Sequence, residues 1–294
     1  MEELTAKNVL EEFSPGAVLE HVEALAGGVS AQTFRFDYFA NGRSQSAVVS
    51  VHSDVDWQRN PNLAADEFEL LRFLKRAGYP VATPLFVGRD SAAFDRPYLV
   101  VEYLSGHVLL GEQLLPRLTD MAFHLSGLHA IPLKNWPFAT YPPARQSVQP
   151  VSLLDERMQE TKVRTALEGY VLQEANAYCL LHCDYWAGNL LWNDEGLVAV
   201  LDWEDFGVGD PLADLGNARV ELAMQVNMAA VETFTAAYLE RSEISEVDLP
   251  YWDLVSALFF SNRITEFADD EAHEALLYRR MNEFVDQALS GLGR

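Results

Sequence analysis

The sequence is poor in cysteine and in basic residues, and it contains no long apolar run. Its two cysteines, Cys179 and Cys183, are too few for a disulfide framework and do not form a C-x-x-C pair. We therefore expect a reducing, cytoplasmic environment. No segment approaches the roughly 18 apolar residues of a membrane-spanning helix. The acidic, amphipathic start MEELTAKNVLEEF is also unlike a secretory signal, so we expect no membrane partner.

Acidic residues dominate the charged side chains. Lys and Arg together number 21 against 44 Asp and Glu, which gives a formal net charge of −23 at pH 7. Nucleic acid is not an expected partner, because a phosphate backbone requires a basic protein face. The charge balance is compatible with a cationic small molecule, or with a phosphorylated substrate whose charge is carried by metal ions. It is equally compatible with an acidic surface that serves solubility.

The first third of the chain carries strand signals followed by one clear helix. Residues 15–55 read as strands, and Asn41-Gly42 between two β-rich runs is a strong hairpin signal. Apolar residues then recur at helical spacing from Ala64 to a glycine stop at Gly78. A further strand is predicted in RPYLVVEYLSG.

Beyond Gly106 the pattern changes to predominantly helical segments. We therefore expect an α+β protein. Residues 1–103 should form a small N-terminal lobe built on an antiparallel sheet, and residues 104–294 a larger, mostly helical C-terminal lobe.

The segment LLHCDYWAGNLLWNDEGLVAVLDWED, residues 180–205, places polar side chains around two short apolar runs. The runs LLW and LVAVL read as strands, and NDEG between them consists of turn formers. A hairpin folding there brings Asn189 and Asp202 side by side at its open end. Asp184 lies five positions before Asn189, in the loop that leads into the first strand. Three oxygen-bearing side chains are therefore predicted to converge.

Phosphoryl transfer uses this set of side chains. One Asp accepts the proton of the attacking hydroxyl, an Asn holds a metal ion, and a second Asp bridges Mg²⁺ to the phosphates. Mg²⁺ binds a few carboxylate and amide oxygens and keeps phosphates or waters as its other ligands. The protein-kinase pattern H-R-D-x-x-x-x-N has the same Asp-to-Asn spacing as HCDYWAGN.

Two segments, LLHCDYWAGNLLW and VLDWEDFGVGDPLADLG, together resemble the aminoglycoside phosphotransferase family, whose fold is shared with choline kinases and, more distantly, protein kinases. Every polar position of the family signature is present, and Cys183 stands where the family has glycine. The resemblance implies Mg²⁺-dependent transfer of the γ-phosphate of ATP or GTP to a hydroxyl of a small molecule. It also implies that Asp184 is the catalytic base and that Asn189 and Asp202 are metal ligands.

The resemblance extends more loosely into the N-terminal lobe. LAGGVSAQTFRF lies where the family has a loop that covers the nucleotide phosphates, and VVEYLSG lies where a hinge binds adenine through its backbone. The candidate nucleotide-binding residues of these two segments are Gly27, Gly28, Ser30, Glu102, Tyr103 and Leu104.

The strand SAVVSVHSD departs from the family pattern, which usually has Lys or Arg there. Ser50 takes that position, with His52 two residues further on. The acid that would pair with such a cation is Glu67 or Glu69 on the following helix. Because a cation there normally neutralises the nucleotide phosphates, two hypotheses stay open. One is an active phosphotransferase; the other is a nucleotide- or ligand-binding pseudokinase with weak or no catalysis.

The carboxylates around and beyond the signature have separate interpretations. Asp210 before a proline reads as a helix cap, and Asp214 is expected to tie that helix to the catalytic loop. Glu204 and Asp205 are expected to form a solvated rim. Acidic residues outnumber basic ones in the C-terminal helices, which favours a cationic acceptor. Neighbouring aromatic residues would also suit an apolar one.

Overall fold

The computed structural model of the chain describes residues 3–25, 31–89, 93–138, 153–173 and 176–292. These residues pack into two units. The first comprises Met1–Gly106 with Val198–Glu204, and the second His107–Leu197 with Asp205–Arg294. In the described ranges, no helix is both long enough and apolar enough to span a membrane.

The helices and strands follow in chain order. The α-helices are α1 (Glu3–Phe13), α2 (Asp54–Arg59), α3 (Leu63–Arg76), α4 (Leu118–His129), α5 (Glu160–Glu168), α6 (Leu212–Gln225), α7 (Met228–Leu239), α8 (Leu249–Ala257) and α9 (Glu271–Leu292). The strands are β1 (Val18–Ala24), β2 (Ala31–Ala40), β3 (Arg43–His52), β4 (Pro84–Gly88), β5 (Tyr98–Glu102), β6 (His107–Val108), β7 (Cys179–Leu181), β8 (Leu190–Asn193), β9 (Gly196–Val200) and β10 (Gly207–Gly209). Short 3-10 helices cover Gly111–Arg117, Glu156–Met158, Ala187–Asn189, Leu258–Phe260 and Ile264–Phe267.

The first unit is built on a five-stranded antiparallel sheet of order β1-β2-β3-β5-β4. The hairpin predicted at Asn41-Gly42 is confirmed, because both residues have positive φ, 54° and 77°, as a two-residue hairpin turn requires. One face of the sheet carries buried Phe36, Val49 and their neighbours, and α1 packs into this core. Side chains alternate between the two faces of a strand. Ser50, which follows the buried Val49, therefore lies on the opposite face of β3.

Helix α3 matches the predicted helix and packs against β3, β4 and β5. Its buried stripe includes Leu70, Leu71 and Leu74. The helix ends at Arg76, and Gly78 follows with a φ of 79°, a left-handed conformation that glycine adopts without steric cost. The glycine stop predicted from the sequence is therefore confirmed.

The second unit is mainly helical, as predicted. Helix α6 packs against α7, α8 and α9, and α4 packs against α7 and β7. Short strands accompany these helices: β7 pairs antiparallel with β10, and β6, β8 and β9 form a three-stranded sheet. The predicted strand-turn-strand around NDEG is present as β8 and β9, which places the signature segment on short, partly buried strands and the loops between them.

Candidate functional site

The loop that carries Asp184 begins directly after the buried strand β7. Its backbone is held by Asp214, a side chain on α6 that is 1% exposed. The two oxygens of Asp214 accept from the backbone N–H groups of His182 at 2.7 Å and Cys183 at 2.8 Å. The prediction that Asp214 ties its helix to the loop that carries Asp184 is therefore confirmed. Cys183 has a φ of 68°, so a non-glycine residue takes the left-handed backbone where the family signature has glycine.

Asp184 and Asn189 are in direct contact. Asn189 donates from Nδ2 to the Asp184 carboxylate Oδ2 and to its backbone carbonyl, both at 3.0 Å. The Asp184 N–H donates to Nδ1 of the buried His182 at 3.3 Å, so His182 helps to hold the loop backbone. Because the amide nitrogen of Asn189 faces Asp184, its Oδ1 is the atom suited to a metal ion.

His129 belongs to this network, although nothing in the sequence distinguished it from other polar residues of a helical segment. It lies at the end of α4, with Nε2 at 3.2 Å from Asp214 and Nδ1 at 2.6 Å from the Tyr238 hydroxyl. Asp214 is therefore positioned by α4 and α7 as well as by its own helix. The contact spans 85 residues of sequence and depends on how these helices pack.

Burial and the neighbouring carboxylates also set the pKa values in this part of the unit. Burial raises the pKa of the Cys183 thiol well above its ordinary range, and Asp214 raises it further. Cys183 is therefore held as a neutral thiol. Burial, followed by the charge of Asp184, raises the pKa of Glu221 on α6 to about 8. A carboxyl with a strongly raised pKa thus lies within electrostatic reach of Asp184.

Asp202 follows β9 and is exposed, with a φ of 62°. The segment around it is anchored within the first unit. The Val200 N–H donates to the carbonyl of Pro80 at 2.8 Å, and the buried Trp203 donates from Nε1 to the carbonyl of Val200 at 3.0 Å. Trp203 also makes an edge-on ring contact with Tyr79 at a centroid distance of 6.1 Å.

Ser50 lies on the sheet face opposite the core, paired with Thr33 on β2 and Leu99 on β5. His52, two residues along β3, lies on the same face, as does Arg35 on β2. His52 Nε2 lies 3.2 Å from Glu67 Oε2, so the acid on α3 that pairs with the strand is Glu67. The alternative, Glu69, pairs with Arg72 at an exposed position.

The second partner of His52 is Glu204, with Nδ1 and Oε2 separated by 3.4 Å. The Glu204 side chain is 11% exposed, so its interpretation as part of a solvated rim is wrong. The residue is drawn inward because His52 offers a charge partner. Burial lowers the pKa of His52, but Glu204 and Glu67 outweigh it and raise that pKa to about 10. His52 is therefore an imidazolium at neutral pH.

The hinge candidates differ in how they are held. Glu102 turns its carboxylate into the protein, where Oε1 accepts from the N–H of Thr83 at 2.7 Å and from Lys75 at 3.2 Å. Burial raises the pKa of Glu102, but these donors outweigh it and lower the pKa overall. The Tyr103 ring lies under the Arg35 guanidinium at 4.2 Å. Leu104 is partly buried.

The remaining sequence-predicted residues, Gly27, Gly28 and Ser30, lie outside the described residues. Across the described ranges, no three His, Cys, Asp or Glu side chains cluster in a way that could hold a metal ion. An amide oxygen such as that of Asn189 could bind a metal ion together with non-protein ligands. Such a ligand set is typical of Mg²⁺ on nucleotide phosphates.

The fold is similar to solved aminoglycoside phosphotransferase structures. A putative aminoglycoside phosphotransferase from Ralstonia eutropha JMP134 has a TM-score of 0.68 and 18% identity, with 99% of this chain and 98% of that chain covered. A thermostable mutant of aminoglycoside phosphotransferase APH(4)-Ia, in ternary complex with AMP-PNP and hygromycin B, has a TM-score of 0.63 and 18% identity, with 95% and 97% covered. The predicted fold class is therefore confirmed.

A mouse protein, acyl-CoA dehydrogenase family member 11, is 23% identical over 229 residues. The alignment covers 66% of this chain but only 29% of that protein. The chain thus spans less than a third of the length of this relative.

The family model described as "Phosphotransferase enzyme family" matches residues 21–249. That range includes the sheet of the first unit, except for the first three residues of β1, and both signature segments. It also contains Asp184, Asn189 and Asp214, whose contacts are described above. On the extent of this match, the chain belongs to the phosphotransferase enzyme family.

Proposed function

We propose that this protein transfers the γ-phosphate of ATP or GTP to a hydroxyl of a small molecule in a Mg²⁺-dependent reaction. The observation that carries the proposal is the contact of Asn189 Nδ2 with the Asp184 carboxylate at 3.0 Å. This contact orients the Asp184 carboxylate for proton transfer and leaves the Asn189 amide oxygen for another ligand. Membership of the phosphotransferase family and the Asp214-anchored loop support it.

Asp184 acts as the general base. As the acceptor hydroxyl oxygen attacks the γ-phosphorus, its proton passes to the Asp184 carboxylate while the bond to the leaving nucleoside diphosphate breaks. The hydrogen bond from Asn189 orients that carboxylate. Asp214 fixes the loop backbone on which it stands. Positioning of this kind is the main protein contribution to phosphoryl transfer, where little covalent chemistry is required of the enzyme.

Asn189 and Asp202 are the metal ligands of the proposal. Mg²⁺, when bound, neutralises charge on the transferring phosphates. Asn189 would bind it through Oδ1, and the exposed Asp202 through its carboxylate. The two oxygens leave other positions for phosphates and waters, as Mg²⁺ requires.

The N-terminal lobe, residues 1–103, binds the nucleotide in this proposal, and residues 104–294 supply the catalytic loop and the acceptor site. The sheet face of Ser50 and the backbone from Glu102 to Leu104 hold the nucleotide, together with the loop of Gly27, Gly28 and Ser30. A cytoplasmic setting, which supplies Mg²⁺-nucleotide and keeps the cysteines reduced, belongs to the same proposal.

The acceptor is a small molecule with a hydroxyl group, and a cationic one is favoured. The net charge of −23 supports this preference, because an acidic protein concentrates cations at its surface. Hygromycin B in the APH(4)-Ia complex also supports an amino-sugar acceptor. Some acidic residues of the C-terminal helices cannot contribute, however. Asp253 is buried against Arg219 at 2.8 Å, and Asp248 accepts from Tyr170 at 2.8 Å.

A second candidate function is a nucleotide-binding pseudokinase. Ser50 favours it, since a serine cannot neutralise phosphate charge. His52 favours it as well, because both ring nitrogens face protein carboxylates. The intact set of Asp184, Asn189 and Asp202 favours the enzyme, since a chain that no longer catalyses transfer has no need of a base and metal ligands together.

Turnover assays distinguish the two functions. We would first measure thermal shifts with ATP and GTP, each with and without Mg²⁺, to establish nucleotide use. Phosphate transfer to a panel of amino sugars, macrolides and amino alcohols would follow, with Asp184→Ala as the inactive control. Transfer that requires Asp184 supports the enzyme. Nucleotide stabilisation without transfer to any panel member favours the pseudokinase.

A further inference from the structure

His52 lies between two carboxylates that come from different parts of the first unit. Glu67 belongs to α3, and Glu204 belongs to the segment that follows β9. The N···O distances are 3.2 Å and 3.4 Å, and the His52 side chain is only 6% exposed. The imidazole is therefore a bridge between a helix and a loop that is far away in the sequence.

Each ring nitrogen of His52 lies within ion-pair distance of one carboxylate, Nε2 of Glu67 and Nδ1 of Glu204, although neither contact has hydrogen-bond geometry. Both nitrogens of the buried ring thus face protein carboxylates. Its role therefore differs from that of a cation that contacts the nucleotide.

Glu204 is two residues from Asp202, and the segment between β9 and Glu204 is fixed on both sides of Asp202. After Asp202 in the sequence, the Glu204 carbonyl accepts from Arg59 Nη2 at 3.3 Å, and the Glu204 carboxylate contacts His52. Before Asp202 in the sequence, the Val200 N–H donates to the Pro80 carbonyl. Between them, Asp202 has a left-handed φ of 62°.

A left-handed backbone costs about 1–2 kcal/mol for a residue other than glycine. Such a conformation persists where the surrounding structure over-determines it. The His52–Glu204 contact is one of the interactions that do so here. Without the imidazolium, Glu67 and Glu204 would lose the positive charge that lies between them, and their repulsion would favour moving Glu204 toward solvent. The segment that follows Asp202 would then lose one of the contacts that hold it.

We propose that His52 is a positioning residue for Asp202, acting through Glu204. The inference rests on the proposed function, since it takes Asp202 to be a Mg²⁺ ligand. Residues that orient metal ligands without touching the metal typically change metal affinity 10–100-fold when they are replaced.

The test compares His52→Gln with His21→Gln, a control histidine on β1 whose side chain is 58% exposed. AMP-PNP binding is titrated calorimetrically with and without Mg²⁺. We expect His52→Gln to reduce the gain in AMP-PNP affinity that Mg²⁺ provides by about 10–100-fold. The affinity for AMP-PNP without metal should stay unchanged. His21→Gln should match the wild type. Weakened metal-free binding in His52→Gln would overturn the proposal, because His52 would then contact the nucleotide itself.

A double-mutant cycle shows whether His52 acts through Asp202. If it does, adding His52→Gln to Asp202→Asn should cause no further loss of Mg²⁺ affinity, since coupled residues are non-additive. Additive losses would overturn the proposal. His52→Lys, which keeps the charge and can reach both carboxylates with separate donors, should recover part of the Mg²⁺ affinity.

Glu204→Gln covers the case in which His52→Gln does not fold, as judged by circular dichroism and thermal unfolding. It keeps the His52–Glu67 pair and should also weaken Mg²⁺ binding. If Asp202→Asn weakens Mg²⁺ binding but a folded Glu204→Gln variant keeps wild-type Mg²⁺ affinity, the positioning role is overturned. An Asp202→Asn variant with unaltered Mg²⁺ affinity instead removes the metal role proposed for Asp202, and this inference with it.

Discussion

Asn189 donates one amide group to both the carboxylate and the backbone carbonyl of Asp184, each at 3.0 Å. The bidentate contact orients the carboxylate and fixes the loop conformation at the same residue. It also decides which atom of Asn189 is presented to a ligand. The five-residue spacing of the signature is therefore explained by a physical contact across one turn of 3-10 helix, Ala187–Asn189.

Replacing Asp184 by Ala should abolish phosphate transfer and leave folding and nucleotide binding largely intact. Loss of a positioned general base typically lowers the rate by about 10²–10⁴-fold. Single-turnover transfer and nucleotide affinity would be measured for this variant and for Asp194→Ala, which removes an exposed carboxylate in the β8–β9 turn. Wild-type turnover by Asp184→Ala would exclude the role of base.

Asp202→Asn should weaken binding of the Mg²⁺-nucleotide complex more than binding of the nucleotide alone. The substitution removes a negative charge, and Mg²⁺ binds carboxylates more strongly than amides. Calorimetric titrations of ADP with and without Mg²⁺ check this, with Asp194→Asn as the matched control. Equal effects on both titrations would show that Asp202 does not bind the metal.

Asp214→Ala should destabilise the second unit by about 3 kcal/mol or more, because two buried backbone N–H groups lose their acceptor. The variant also leaves His129 without one of its contacts. Thermal and denaturant unfolding would measure the loss. Asp194→Ala is expected to change stability by no more than about 0.5 kcal/mol, and a similarly small effect of Asp214→Ala would contradict the anchoring role.

The stability of the protein should depend on pH through Glu221. Burial and Asp184 raise its folded-state pKa from an ordinary 4.5 to about 8. The folded state therefore retains a proton that the unfolded chain releases, so the contribution of this group to the free energy of unfolding falls as pH rises from 4.5 to about 8.

Glu221→Gln removes this dependence. The variant should gain stability relative to the wild type as pH rises through this window, and the difference should level off above about pH 8. Urea unfolding at pH 5, 6, 7, 8 and 9 would measure it, with exposed Glu195→Gln as control. A stability difference that does not vary with pH would show that the Glu221 pKa is not raised.

Binding of a cationic acceptor should weaken as salt concentration increases, because salt screens exposed charges. The affinity of an amino sugar would be measured at several concentrations of sodium chloride, with an uncharged polyol of similar size as control. A neutral or anionic acceptor that binds tightly and independently of salt would contradict the preference for cations.

Features that depend on neighbouring residues could be predicted from the sequence. The Asn41-Gly42 turn follows from left-handed backbone preferences, and the end of α3 follows from Gly78. The spacing of Asp184 and Asn189 predicted that their side chains meet, because the contact between them lies within one short segment. The family was predicted from the two signature segments, which are also continuous stretches of sequence.

Only the tertiary structure decided which distant charges pair. Sequence spacing favoured neither Glu67 nor Glu69, and the packing of α3 against the sheet brings Glu67 to His52. The sequence predicted that Glu204 is solvated, yet the fold buries its side chain against the same histidine. The physical reason is that an ion pair depends on which faces of distant segments meet, whereas periodicity and turn chemistry describe one segment at a time.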